Sequence, residues 1–306
     1  MMSQAVPPVV EIVGDGPWAD HFADIKQLAL ADWPAFLPSR VGVSSRLQIL
    51  CGTRENQRAV AIDGLSQGNI VWLAEPCFWT AEDIASLESA AGQANSAPSL
   101  TVISPRHFDG DFQQALSLIQ QGELGELQAI RMIAWTPPAM YLRGAGASVG
   151  ESASQPEFAP QKEFERELAG AVDLLLEMTT ALPQQCRLAG SVDDWSLGVT
   201  FASGLRAEVE QRRRGHLPFS TGWMVDGELA GYRQGRLYRS ADDGETIDVP
   251  VPPMSDSTSS LVDELRKCLS EHRDPAFHPM AQTTKTLGDM RRRVLLYDML
   301  REQIGR

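Results

Sequence analysis

Gly14-x-Gly16-x-x-Ala19 follows the apolar run Val9 to Val13 and opens a helical pattern. Residues of these types at this spacing can hold the pyrophosphate of a dinucleotide. Gly14 permits a tight turn, Gly16 lets the backbone approach the phosphates, and small Ala19 lets the helix pack closely on the strand. The helix N-terminus then favours the negative charge. The chemistry implied is the binding of a dinucleotide. The plainer alternative is a strand-to-helix turn, because Gly and Asp are ordinary turn residues. Asp15 places a negative charge beside the expected phosphate, and Trp18 adds bulk there. A dinucleotide site also calls for an acid at the end of a second strand, about 20 residues further on, to hold the ribose hydroxyls. That stretch is Trp33 to Ser45. Its strand-like portion, Arg40 to Val43, does not end in an acid. Ser39 and Arg40 could instead meet a 2′-phosphate and select NADP, or they belong to an exposed loop. Coenzyme bound and coenzyme lost both remain open at this point.

Other reactive residue types are scattered. His21, His107, His216, His272 and His278 include no pair at i, i+4 beside an acid, so a helical zinc site is not indicated. The arginine runs Arg212–Arg214 and Arg291–Arg293 could bind an anion, or form a solvated strand end and a helix face. Cys51, Cys77, Cys186 and Cys268 form no CxxC pair. They are read as reduced thiols of a cytoplasmic protein. There is no Walker loop, no G-x-S-x-G elbow and no S-x-x-K. A formal net charge of −13 disfavours nucleic acid and anionic lipid as partners. No apolar stretch is long enough to span a bilayer, and Met1 to Pro8 does not read as a signal peptide.

The elements that must position these residues follow from periodicity. Strands are predicted at Pro7 to Val13, Leu47 to Leu50, Ile70 to Leu73 and Leu100 to Ile103. Helical stripes lie between them: Phe22/Ile25/Leu28/Ala29, residues 57 to 66, Ile84/Leu87/Ala91 behind the helix-start box Thr80-Ala81-Glu82-Asp83, and Phe108/Phe112/Ala115/Leu116/Ile119 closed by Gly122. Such alternation means crossover units and a parallel sheet. Gln128 to Trp135 is a further strand. Residues 137 to 161, rich in Pro, Gly, Ser and Ala, read as a long loop. Phe164, Leu168, Ala171, Val172, Leu175 and Met178 form one helix. Leu197/Val199/Phe201 and Leu205/Ala207/Val209 alternate at period two about a Ser203-Gly204 turn, and helices near 261–271 and 287–304 close the chain. The expected fold is α/β: a Rossmann-like parallel sheet over residues 1–124, complete or reduced by one βα unit between Gly14 and Leu47, then a domain over 125–306 with an open, mainly antiparallel sheet. The last helix is expected to pack back on the first domain.

Several segments, in order, resemble the Gfo/Idh/MocA family of the glucose–fructose oxidoreductase and inositol dehydrogenase type. Gly68 to Pro76 is similar to the family's strand ending in Glu-Lys-Pro, and Thr80 to Ala91 to the helix after it. Arg106-His107-Phe108-Asp109 resembles its "RRFdP" segment, and Gln121 to Leu127 its "sGelGei" junction. Asp194-Trp195 and Phe201 to Ala207 resemble strands of its second sheet. The resemblance implies a nicotinamide-binding domain, hydride transfer on sugars or cyclitols, and homo-oligomers through the second-domain sheet.

It also exposes departures. Aligned on Pro76, Glu75 stands where the family has its proton-transferring lysine, and Ala74 where it has Glu. A carboxylate beside a developing alkoxide repels it. Glu75 could act as a general base if burial raised its pKa, or be an ordinary acid at a strand end. Aligned on Asp173, the family's D-x-x-x-H-x-x-D face becomes Arg166, Gly170, Asp173, so the histidine's place holds no side chain. The histidine of another family position is matched by Gln57. The lead expectation is therefore a degenerate member with hydride chemistry lost or reduced and a binding or partner role. The second is an NAD(P)-dependent oxidoreductase using Glu75, Asp173 or Tyr141. The third is a purely structural subunit.

Overall fold

The four short apolar runs of the first hundred residues are the strands of one parallel sheet: β1 (Val9–Val13), β2 (Arg46–Leu50), β3 (Ile70–Leu73) and β4 (Ser99–Val102). The structure is a computed structural model, and it describes residues 9–14, 17–31, 46–74, 78–94, 98–103, 105–135, 160–212, 220–240, 245–253, 257–271 and 279–304. Helices α1 (Pro17–Ala31), α2 (Arg54–Ser66) and α3 (Ala81–Gln93) follow β1, β2 and β3 in turn. All four residues of β3 are buried, as expected of a strand covered on both faces. On one face Phe22, Ile25 and Ala29 of α1 meet Leu47 and Ile49 of β2, Cys51 just after it and Trp72 of β3. Leu261, Val262, Leu265, Cys268 and Leu269 join the same core from α6 (Ser257–Glu271).

The second sheet has eight strands in the order β12-β11-β10-β9-β5-β8-β7-β6. They are β5 (Leu127–Trp135), β6 (Pro183–Gly190), β7 (Asp194–Phe201), β8 (Arg206–Arg212), β9 (Ser220–Gly227), β10 (Gly231–Arg233), β11 (Arg236–Ser240) and β12 (Thr246–Pro250). All pairings are antiparallel except β5 with β8. The period-two pattern read from residues 197–209 is the observed one: Trp195, Leu197, Val199 and Phe201 alternate inward along β7. Gly204, at φ +87°, makes the tight turn to β8. The remaining α-helices are α4 (Gly110–Gln120), α5 (Pro160–Met178) and α7 (Pro279–Ile304), and a short 3-10 turn spans Pro105–Phe108.

Packing divides the chain into residues 1–108 with 256–291, and residues 109–255 with 292–306. This differs from the division after residue 124 that the glycine-rich junction suggested. Helix α4 belongs to the second unit because its side chains are spent there: the Phe112 ring lies 5.3 Å from that of Trp223, and Tyr232 hydrogen-bonds Asp111. Helix α6 belongs to the first because five of its apolar side chains complete that core. The loop read at 137–161 falls outside the described residues except for its last two positions, which begin α5. Among the described residues no helix is long and apolar enough to cross a membrane.

Candidate functional site

At the turn leaving β1, Gly14 has φ +109°, and a Cβ there would lie 2.1 Å from the Cys51 carbonyl oxygen. The Cys51 N–H donates to the Val13 carbonyl at 2.8 Å. Glycine is thus required by the approach of two strand ends, whatever the turn binds. Ala19 packs against the first-unit core, the part a small residue plays where helix and strand approach closely. Asp15, Gly16, Ser39, Arg40, Glu75 and Tyr141 lie outside the described residues, as do His216, His272 and His278, and the Trp18 side chain is not described either. Ala74, beside Glu75, is fully buried, and its N–H donates to the Leu50 carbonyl at 2.9 Å.

Strand order bears on the coenzyme. Dinucleotides lie at the crevice where the order of a parallel sheet reverses next to its first strand. Among the described residues the order is β1-β2-β3-β4. Val9 is 48% exposed, and the exposed Glu11 accepts a hydrogen bond from Gln48 Nε2 at 3.1 Å. Among the described residues, then, the glycine turn has its helix but neither the reversal nor a ribose-binding acid.

Helix α5 belongs to the second unit and carries the face Arg166, Gly170, Asp173. Its apolar stripe, Phe164, Leu168, Ala171, Val172 and Leu175, is buried as the spacing predicts. Asp173 is buried too, and Oδ1 holds two partners from α7. The Tyr297 hydroxyl donates to it at 2.9 Å, and Arg293 Nε lies 2.8 Å away in a buried ion pair. Asp173 thereby anchors one helix to another. A second buried acid on α5, Glu167, escaped the sequence reading; its only signal was its place immediately before Leu168 in the apolar stripe.

The arginine run of α7 is committed internally. Arg291 pairs with Glu88 at 2.5 Å. Arg292 donates to the carbonyls of Thr179 and Leu176 at 2.6 and 3.3 Å, closing the C-terminal end of α5. Arg293 holds Asp173. Arg212 Nε donates to Glu210 at 2.8 Å, while Arg131 lies 3.2 Å from Glu210 and 3.4 Å from Glu208. The hydrogen bond from Arg212 is the main reason the Glu210 carboxyl sits below its ordinary range. Gln57, where a histidine was matched, is buried and donates to the Gly52 carbonyl at 3.1 Å. Burial pushes the His21 imidazole below its ordinary value, against the opposing charge of Asp24. Among the described residues no group of three or more His, Cys, Asp or Glu could hold a metal ion.

No family model matches the sequence, and no curated protein does. Solved structures match over nearly the whole chain. An apo scyllo-inositol dehydrogenase from Lactobacillus casei superposes with a TM-score of 0.62 at 13% identity, covering 98% of this chain and 96% of that one. A myo-inositol 2-dehydrogenase from Lactobacillus plantarum gives 0.61 at 13%, covering 98% of each. An NAD binding oxidoreductase from Klebsiella pneumoniae gives 0.62 at 12%, covering 95% and 97%. The chain therefore has the fold of these dehydrogenases, in line with the resemblance carried by its motifs.

Proposed function

We propose, starting from that shared fold, that this chain is a dehydrogenase-like protein in which hydride transfer is lost or much reduced, and that it acts by binding a small molecule or a partner. The observation that carries this reading is the fate of Asp173. It is the acid left on the Arg166–Gly170–Asp173 face, and it is spent on Arg293 and Tyr297. The neighbouring position that would exchange a proton is Gly170, which has no side chain to do so.

The second reading is an NAD(P)-dependent oxidoreductase acting on a sugar, a cyclitol or a related small molecule through other groups, Glu75 first among them. The full-length likeness to coenzyme-binding dehydrogenases favours it. Titration of the protein with NADH and NADPH, followed by nicotinamide or tryptophan fluorescence, separates the two. No saturable binding up to millimolar coenzyme is expected. Saturation in the micromolar range would replace the first reading with the second.

The same proposal places the protein in the cytoplasm, where the free thiols Cys51, Cys186 and Cys268 would stay reduced. It also includes self-association through the open face of the second sheet. Arg131, Glu208 and Glu210 alternate with the inward-facing residues of β5 and β8, and so share that face. Nucleic acid and membrane are not among the proposed partners, in keeping with the net charge of −13.

A further inference from the structure

Where α4 meets β9 and β10, one tyrosine hydroxyl faces more acceptors than it can serve. Tyr232 lies within hydrogen-bond distance of Asp111 Oδ1 and, at 2.8 Å, of Gln114 Oε1. Its oxygen already accepts from the Gly235 N–H at 3.0 Å. A hydroxyl has one proton to donate. Turning the Gln114 amide over does not help: Nε2 now donates to the Pro252 carbonyl at 2.5 Å, and exchanging the two ends would bring two oxygens together there. The Trp223 N–H donates to Asp111 Oδ2 at 2.9 Å, which leaves Oδ1 as the place for an additional proton. A proton on Asp111 Oδ1 completes the set. Asp111 then donates to Tyr232, and Tyr232 donates to Gln114.

We infer that Asp111 is a neutral carboxylic acid in the folded protein, latching α4 to the β9–β10 corner, and that loss of its proton as pH rises releases the latch. The surroundings agree. Burial raises the Asp111 carboxyl above its ordinary range, against the hydrogen bonds from Tyr232, the Trp223 N–H and the Gly235 N–H, and the charge of Asp109 raises it further. Tyr232 is itself raised, chiefly by burial and then by Asp111, so it keeps its proton throughout. The titratable neighbours are thus Asp109 from the cap of α4 and Tyr232 from β10, while β9 contributes the Trp223 N–H. Because the folded chain holds this proton more tightly than the unfolded chain, the latch stabilises fully below the ordinary aspartate pKa of about 3.9. That contribution fades as pH rises through the folded value.

Asp111→Asn tests the inference, because the amide NH₂ donates where the acid proton does and its oxygen still accepts from Trp223. Denaturant unfolding of both chains from pH 4 to 8 is the measurement. The folding equilibrium constant of the wild type should fall, relative to D111N, about tenfold per pH unit until the folded pKa is passed, then run parallel. A constant ratio across the whole range would overturn the inference. If D111N does not fold, the ¹³C carboxyl shift of Asp111 in the wild type decides. A shift still in the protonated range at about pH 5, a unit above the free-aspartate value, supports the latch, and an ionised one there overturns it.

Discussion

Asp173 and Arg293 share the low exposure of a true interior pair, with side chains 2% and 5% accessible. Two buried charges in contact lose most of their hydration and recover much of it through each other, so removing one leaves the other without its main countercharge. Arg293→Met alone should cost roughly 3–5 kcal/mol in denaturant unfolding. Asp173→Leu with Arg293→Met should recover most of that loss, because an apolar pair of similar volume has no charge left to strand. A double variant no more stable than the single would show that Asp173 is held by something other than this pair. The same residue illustrates how far sequence reaches. That Asp173 stands three positions after Gly170 on one helix face is plain from spacing. That it is held by a tyrosine 124 positions away is not, because nothing local links the two.

Elements were legible wherever capping chemistry and periodicity agreed. Thr80-Ala81-Glu82-Asp83 starts α3 as the pattern predicts, with the Thr80 hydroxyl accepting from the Asp83 N–H at 3.2 Å and the Asp83 carboxylate accepting from the Thr80 N–H at 2.8 Å. Thr80→Ala should therefore lower stability by about 1 kcal/mol. Asp83→Ala should cost more in the same unfolding measurement, because Asp83 is buried and also faces Arg58 at 3.2 Å and Arg54 at 3.8 Å on α2. Equal losses for the two variants would mean that the arginines add nothing to the cap. Helix α2 begins three residues earlier than the apolar pattern suggests, at Arg54. Its N-cap is Thr53, whose side chain accepts from the Asn56 N–H, and a polar cap of this kind leaves no trace in hydrophobic spacing.

At the scale of the whole molecule, composition and pattern gave the fold class: a parallel sheet first, then a mainly antiparallel one. The open face of the second sheet bears on assembly. Arg131 bridges Glu208 and Glu210, and a two-fold partner presenting the same surface would meet alternating charges of both signs. Sedimentation at tens of micromolar should give a mass of at least two chains, and Arg131→Glu should shift it toward one. A wild type that sediments as a single chain at that concentration would remove self-association from the proposal.

Local structure and the identity of the substituted positions were fixed by the sequence alone. The resemblance aligns Glu75 and Gly170 with a lysine and a histidine of the family it points to, and that alignment is read from the sequence alone. Only the tertiary structure decided that β1 pairs with β2, that Asp173 is consumed by α7, and that Tyr232 faces two oxygens with a single proton. These are pairings between residues far apart in the chain. Their geometry depends on which strands become neighbours and which helices cross, and periodicity along the sequence does not encode that.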